Sequence, residues 1–229
     1  MRLSIVVPAY QEEELLAPTV RSLLAALAGT GAAHEVVVVD DGSRDRTPEV
    51  ADALARTHPE VSVIHQANQG IGGAFRAGRE RARGEYVALW PADMPCDPPA
   101  LAPFVEALGT ADVIVGVRRA RVGYSPLMRL NARVYPVLVG TLFGLWLRDV
   151  NWICLYRAAL LRRARLDQRG IPMLAEALVR LRDLGATFRE VEVDMVARAK
   201  GVPSASRPRV MYATLRGLLA FWNQRRREA

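Results

Sequence analysis

Glu35-Val36-Val37-Val38-Val39-Asp40-Asp41-Gly42-Ser43 is the stretch whose reading decides the architecture. Four consecutive valines leave no polar face, so the run predicts a strand buried on both sides, as in a parallel sheet covered by helices. It closes in a turn that carries two acids. Upstream, Ile5-Val6-Val7-Pro8-Ala9-Tyr10 predicts an earlier strand. Gln11 to Glu14 then open a helix whose Leu15, Leu16, Val20, Leu23, Leu24 and Leu27 recur at helical spacing. The early glutamates suit a helix N-terminus, and Gly29 to Gly31 stop it. Downstream, Thr47 or Ser43 offers a cap for a helix over Pro48 to Thr57, and Val61 to His65 predicts a third strand. Strand–helix–strand alternation of this kind specifies a doubly wound α/β sheet, mainly parallel, with helices on both faces.

Asn68-Gln69-Gly70-Ile71-Gly72-Gly73 leads into a helix with a basic face, ending near Ala82. Its glycines permit close backbone approach, but the motif does not follow a first strand, so a dinucleotide fingerprint is not indicated. Glu85 to Trp90 predicts a short buried strand, which Pro91 ends because proline cannot donate to a sheet ladder. Asp93 then lies at the strand's carboxyl end, beside small Ala92 and before a turn at Asp97-Pro98-Pro99. Alone, Asp93 reads equally as an acid in a surface turn. However, Glu12 follows the first strand, Asp40 and Asp41 the second, and Asp93 the fourth. Carboxylates gathered on the carboxyl edge of a parallel sheet, where such folds bind ligands, describe a crevice for a nucleotide and a metal.

Composition narrows the class. With 229 residues, 51% of them hydrophobic, the chain can bury a substantial core. The longest apolar run, Val134 to Leu147, is about 14 residues, short of the roughly 20 needed to span a bilayer. The first residues run directly into a strand and do not read as a secretion signal. Cys96 and Cys154 have neither metal spacing nor a CxxC pattern and fit a reducing compartment. The formal charge is +7, and Lys200 is the only lysine, so the positive charge is arginine, which suits bidentate phosphate contacts. The arginines are dispersed with few aromatics between them, and no recognition motif appears, which argues against nucleic acid.

Farther along, Val113 to Val117 predicts a strand followed by Arg118 and Arg119. Leu127 to Leu147 predicts an apolar helix broken at Pro136 and Gly140, either a core helix or a lipid-facing groove with Leu142, Phe143 and Trp146. A helix from Leu174 to Gly185 and an edge strand from Thr187 to Val193 follow. Residues 1–205 are expected to form one domain. Residues 206–229 place Val210, Met211, Leu215, Leu218, Leu219 and Trp222 among arginines, a basic amphipathic helix suited to an anionic membrane surface or to packing on the domain.

IVVPAYQEEE, VVVVDDGSRDRT, NQGIGGAFRAG and PADMPCDPP, in this order and spacing, resemble family 2 glycosyltransferases of the GT-A fold, and among them the polyprenyl-phosphate, dolichyl-phosphate mannose synthase-like sugar transferases. The resemblance covers residues 1–205. It implies transfer of a hexose with inversion from a nucleoside diphosphate sugar, of GDP-mannose or UDP-glucose type, to a polyprenyl phosphate at the cytoplasmic membrane face by a peripheral protein. It implies that Pro8, Ala9, Tyr10 and Glu12 line the nucleoside pocket and that Asp40 accepts from the base. Ala92 and Asp93 would lie at the diphosphate, Asp93 holding Mg²⁺ or Mn²⁺. Arg118 is implied as a phosphate contact, Arg129 belongs to the same donor-binding set, and Asp149 is either a general base or an orienting group. Arg198, with Lys200, matches a loop that closes on the donor phosphates, while Ser204 is displaced from that pattern. The family's Asp-Ala-Asp is here Pro91-Ala92-Asp93, with Pro95 at another polar family position, so one carboxylate stands where two are usual. A soluble hydroxyl acceptor, and a nucleotide-sugar binder without turnover, are the rival expectations. The sequence is silent on oligomeric state.

Overall fold

The structure is a computed structural model that describes residues 2–94, 98–119, 124–194 and 208–228. β1 (Arg2–Ala9), β2 (Ala33–Asp40), β3 (Val61–His65) and β4 (Tyr86–Leu89) alternate with α1 (Leu16–Ala28), α2 (Thr47–Thr57) and α3 (Gly70–Arg81). Then follow α4 (Pro98–Glu106), β5 (Val113–Arg118), α5 (Pro126–Phe143), β6 (Cys154–Arg157), α6 (Ala158–Arg163), α7 (Pro172–Asp183), β7 (Phe188–Val193) and α8 (Pro208–Glu228). Among the described residues, seven strands make one sheet in the order β3-β2-β1-β4-β6-β5-β7. All neighbours run parallel except β6, which is antiparallel to both β4 and β5. The mainly parallel, doubly wound expectation holds, and β7 is the edge strand as expected. β6 is an addition that sequence patterning did not supply.

The valine run behaves as its composition dictates. Val36 and Val38 pack into one core with Leu3, Ile5 and Val7 under α1. Val37 and Val39 pack into the other, with Val6, Phe75 and Tyr156. Alternate residues of β2 therefore enter opposite layers, as a strand covered on both faces requires. The chain runs outward from β1 through β2 to β3, then returns to lay β4 on the other side of β1. That reversal opens a crevice at the carboxyl ends of β1 and β4.

Several local expectations are corrected. α1 begins at Leu16, not at Gln11: Gln11 has φ 58, in the left-handed region that a non-glycine residue seldom occupies. The glutamates form a loop instead. Neither Ser43 nor Thr47 caps α2, because Thr47 is its first residue and its backbone N–H donates to Asp45 Oδ1 (3.1 Å). The expected turn at Pro98-Pro99 is the start of α4, where prolines cost no helical hydrogen bond. α5 is not broken at Pro136 or Gly140 but runs unbroken to Gly144, whose φ of 71 ends it. A side chain at Gly140 would collide with the Trp146 ring, so this glycine serves close packing. Cys154 is a free, buried thiol, and burial pushes its pKa up to about 12.

Candidate active site

The loop after β1 and the loop after β2 are bonded together residue by residue. The Gln11 N–H donates to Ser43 Oγ (3.0 Å), the Glu12 N–H to Thr47 Oγ1 (2.8 Å) and the Arg46 N–H to Glu13 Oε2 (2.9 Å). Ala9 and Asp40 are register partners at the ends of β1 and β2, and the Asp41 N–H donates to the Ala9 carbonyl (2.9 Å). Ala9 is buried, Pro8 and Glu12 are half-buried, and Tyr10 stands exposed at the mouth.

Asp40 is buried at 3% exposure, and each of its oxygens has a partner. Its Oδ1 accepts from the Ser43 N–H (3.0 Å), and its Oδ2 lies 3.1 Å from His65 Nδ1. His65 ends β3 in register with Asp40, and its Nε2 is 3.2 Å from Asp52 Oδ1. The hydrogen bond with Asp40, opposed by burial and aided by Asp52, holds the imidazole pKa above its ordinary value. The neighbouring acid, Asp41, has a different task. It accepts from Gln66 Nε2 (2.7 Å), the Gln69 N–H (2.8 Å) and the Gly70 N–H (2.8 Å), fixing the entry to α3. The Gly72 N–H is taken by the Arg169 carbonyl (2.9 Å). The glycines of NQGIGG therefore serve backbone packing, and the start of α3 is filled by protein.

At β4, the Trp90 N–H bonds to the Val6 carbonyl (2.8 Å), and Trp90 Nε1 donates to the Met94 carbonyl (2.7 Å). This closes a turn, just past the end of β4, that buries Ala92 and carries Asp93. Among the described residues no cluster of three or more histidines, cysteines or acids forms a preassembled metal cage. The single carboxylate of Asp93 is still a donor that suits Mg²⁺ or Mn²⁺, which take one or two protein carboxylates and draw further ligands from phosphates and water.

The second wall comes from β5 and the segment leading into β6. Arg118 ends β5, and its guanidinium grips Asp149 through two bonds, Nε to Oδ2 (2.7 Å) and Nη2 to Oδ1 (2.8 Å). Arg118 Nη1 donates to the Tyr124 hydroxyl (2.6 Å), and the guanidinium lies 4.8 Å from the centre of the Trp152 ring. Both charged side chains are nearly sealed, at 7% and 2% exposure. Burial disfavours the charge of Arg118, but the Asp149 contacts outweigh it and hold the pKa above the ordinary arginine value. Trp152 and Ile153 share one small apolar hollow with Trp90 and Met94.

Pro8, Ala9, Tyr10, Glu12, Asp40, Ala92 and Asp93 thus lie at or just past the carboxyl ends of β1, β2 and β4, and the Arg118–Asp149 pair lies at the carboxyl end of β5, on the same sheet edge. Arg129 is exposed on α5, one turn beyond Ser125. Arg198, Lys200, Ser204, Pro95 and Cys96 lie outside the described residues. Sequence reasoning missed His65, Tyr124 and Trp152. His65 was open to discovery by lining up the carboxyl ends of parallel β2 and β3. Tyr124 lies six residues past Arg118, where the sequence shows no motif, and Trp152 meets Arg118 only through the β5–β6 pairing.

The profile described as "Glycosyl transferase family 2" matches residues 4–170. An undecaprenyl-phosphate mannosyltransferase of Micrococcus luteus is 32% identical over 242 aligned positions, spanning 97% of this chain and 96% of that protein. An undecaprenyl-phosphate 4-deoxy-4-formamido-L-arabinose transferase of Pseudomonas aeruginosa is 35% identical over 157 residues, 68% of this chain and 46% of the relative. The chain thus spans about half the length of this second relative. Among solved structures, glucosyl-3-phosphoglycerate synthase from Mycobacterium tuberculosis, in complex with Mn²⁺, UDP and glucosyl-3-phosphoglycerate, superposes with a TM-score of 0.72 at 18% identity. That alignment covers 95% of this chain and 78% of the synthase, and it shows the fold.

Proposed function

The chain belongs to glycosyl transferase family 2, and we propose that it moves a hexose from a nucleoside diphosphate sugar to a polyprenyl phosphate at the cytoplasmic face of a membrane. The observation that carries the choice of acceptor is the Asp149–Arg118 pair. A hydroxyl acceptor needs a base to remove its proton, and Asp149 is the acid placed for that work. Both of its oxygens are committed to Arg118. A phosphate acceptor is already ionised near neutrality and needs no base, so an Asp149 held in an ion pair does not stand in its way. The relatives named for undecaprenyl phosphate point the same way.

On this reading Tyr10 covers the nucleoside, and Asp40 accepts a hydrogen bond from the base while His65 holds its second oxygen. Ala92 lets the diphosphate approach the backbone, and Asp93 holds Mg²⁺ or Mn²⁺, which offsets the charge on the departing diphosphate. Arg118 orients the acceptor phosphate for attack on the anomeric carbon from the side opposite the leaving group, giving inversion. Asp149 acts through Arg118 and is a positioning residue. Arg129, Arg198 and Lys200 complete the phosphate-binding set. With one carboxylate where the family usually has two, arginines take a larger share of the diphosphate charge.

Radiolabelled transfer from GDP-mannose, GDP-glucose and UDP-glucose to undecaprenyl phosphate, with and without Mn²⁺, tests this. The expected result is a lipid-extractable product with one donor, dependent on the metal and reduced by about a hundredfold or more in Asp93→Ala. Product formed only on a soluble sugar hydroxyl, and abolished in Asp149→Ala, would replace the lipid phosphate with a hydroxyl acceptor. Nucleotide binding without product from any acceptor would identify a binder.

A further inference from the structure

β7 carries two acids on one face. Glu190 and Glu192 lie two residues apart, in register with Val115 and Val117 of β5, while Val191 and Val193 are buried on the other face. Neither acid belongs to the Arg118–Asp149 pair, yet both are bound to that pair's covalent neighbours. Arg119 follows Arg118, and its Nε donates to Glu192 Oε2 (3.4 Å). Arg148 precedes Asp149, and its Nη1 donates to Glu192 Oε1 (2.9 Å). The buried pair therefore has an outer counterpart, Arg119–Glu192–Arg148, one residue away along each segment. Glu190 does more. One of its oxygens accepts from Arg148 Nε (2.9 Å), and the other accepts from the Arg148 backbone N–H (2.7 Å). Residues 144–153, between α5 and β6, are neither helix nor strand, so no ladder fixes the backbone at Asp149. The Asn151 N–H turns back onto Asp149 Oδ1 (3.3 Å). Glu190 ties that backbone to the sheet, at the residue just before the carboxylate that grips Arg118.

We propose that Glu190 is a positioning residue for the transfer: by bonding the backbone N–H and the guanidinium of Arg148 it fixes Asp149, and so the orientation of Arg118, while Glu192 joins the two segments from outside. The role in transfer rests on the reading above, in which Arg118 orients the acceptor phosphate. Energetics set the division of labour. Arg148 is 54% exposed, so its ion pairs contribute little to global stability. The inner pair is sealed from water, so a shift of Asp149 breaks hydrogen bonds that water does not replace. Reaction rate is more sensitive to such a shift than stability is. The plain alternative is that acids on an edge strand only keep that edge from pairing with another chain. An acid with that task alone has no need to accept a backbone N–H from a distant segment, and the Glu190 side chain is only 24% exposed.

Nuclear magnetic resonance of the full chain tests the positioning without any substrate. The Arg118 Nε–H, identified by its loss in Arg118→Lys, is expected to exchange slowly with solvent in the wild type. Glu190→Ala is expected to speed that exchange by about tenfold or more, with the β2 valine amides unchanged. Glu190→Gln, which keeps an acceptor for the Arg148 N–H, should restore most of the protection. In transfer assays Glu190→Ala should raise the acceptor KM by about tenfold and leave the donor KM as it is. Glu80→Gln, which removes an exposed ion-pair acid on α3, should change neither. Rapid exchange in the wild type, or wild-type exchange in Glu190→Ala, overturns the proposal. So does an equal speeding of the β2 amides, which marks a general loosening of the fold. Lost protection with an unchanged acceptor KM overturns the role in transfer. Lost protection in a protein that transfers sugar to no acceptor keeps the positioning and removes the polyprenyl-phosphate reading; transfer to the lipid phosphate with Arg118 undisturbed in Glu190→Ala does the reverse.

Discussion

His65 shows how one side chain sets the charge around Asp40. The imidazole bridges Asp40 of β2 and Asp52 of α2, so its protonated form is held by two carboxylates. Its pKa in the folded protein is raised above the ordinary histidine value of about 6.5. The stabilisation it lends is therefore complete below that unfolded value and is lost as pH rises through the higher folded value. Losing the proton releases Asp40 Oδ2 from a charged partner, so donor KM is expected to rise as pH climbs above neutrality. His65→Gln, which keeps a hydrogen-bond donor but cannot titrate, should flatten that rise while leaving kcat little changed. A pH series of initial rates on both proteins checks it, and an unchanged slope in His65→Gln would assign the titration elsewhere. Glu176 is a second titrating group, wholly buried on α7, where it accepts from the Asp167 and Gln168 N–H groups. Burial outweighs those bonds and raises its pKa. A carboxyl with a raised folded pKa favours the fold below its unfolded value and loses that contribution as pH rises through the folded one. Glu176→Ala, which leaves the part-buried Asp167 and Gln168 N–H donors without their acceptor, is expected to cost about 1–3 kcal/mol in all, read as a lower urea midpoint, whereas Glu176→Gln keeps an acceptor and costs less.

Elements differ in how much of them was legible, and the reason is physical. β1, β2 and β4 are parallel strands largely buried on both faces, so each carries its signal locally as a mainly apolar run, while β3, at the sheet edge, is only half-buried. β6 has only four residues, Cys154 to Arg157, and takes its place between β4 and β5 by pairing with strands distant in the chain. No local pattern encodes such an insertion, and the Arg118–Asp149–Trp152 wall depends on it. Asp40, Ala92 and Asp93 could be assigned to one sheet edge because strand ends can be counted; the partners of Arg118 could not. α1 starts five residues later than its glutamates suggest, because the Glu12 and Glu13 N–H groups bond the loop after β2. Glycines divide in the same manner. A Cβ at Gly72 would overlap the Gln168 carbonyl and sit 3.1 Å from Arg169 Cα, both backbone, so α3 and the segment carrying Arg169 would have to part. Gly72→Ala is expected to lower stability by about 1–3 kcal/mol. Gly29 ends α1 at φ −64, and its nearest contact is an ordinary 3.5 Å. Gly29→Ala should be neutral or slightly stabilising. Thermal melts of the two variants decide whether the tight packing at α3 is real.

At the scale of the molecule, the question is whether α8 is an appendage or a part of the domain. The sequence places a basic amphipathic helix there, compatible with either. In the fold its arginine end is largely engaged: Arg225 pairs with Asp183, Arg180 grips Glu228 (2.6 Å), and Arg226 lies 4.9 Å over the Trp222 ring. Leu218 and Phe221 are fully buried in the same core as Val37, Val39 and Tyr156. α8 thus completes the layer begun by α5 and α7, and through the Phe143–Phe221 stack it steadies the far end of the helix that starts beside Arg118. Exposed ion pairs contribute little, so the apolar contacts carry the attachment. Phe221→Ala removes a buried ring and its stacking partner, a loss of about 3–5 kcal/mol. If α8 belongs to the domain's cooperative unit, that loss moves the whole transition, and urea melts followed by tryptophan fluorescence and by far-ultraviolet circular dichroism should shift together to a lower midpoint. An appendage would behave differently. Circular dichroism alone would lose a small early step, and the main transition would stay where the wild type has it.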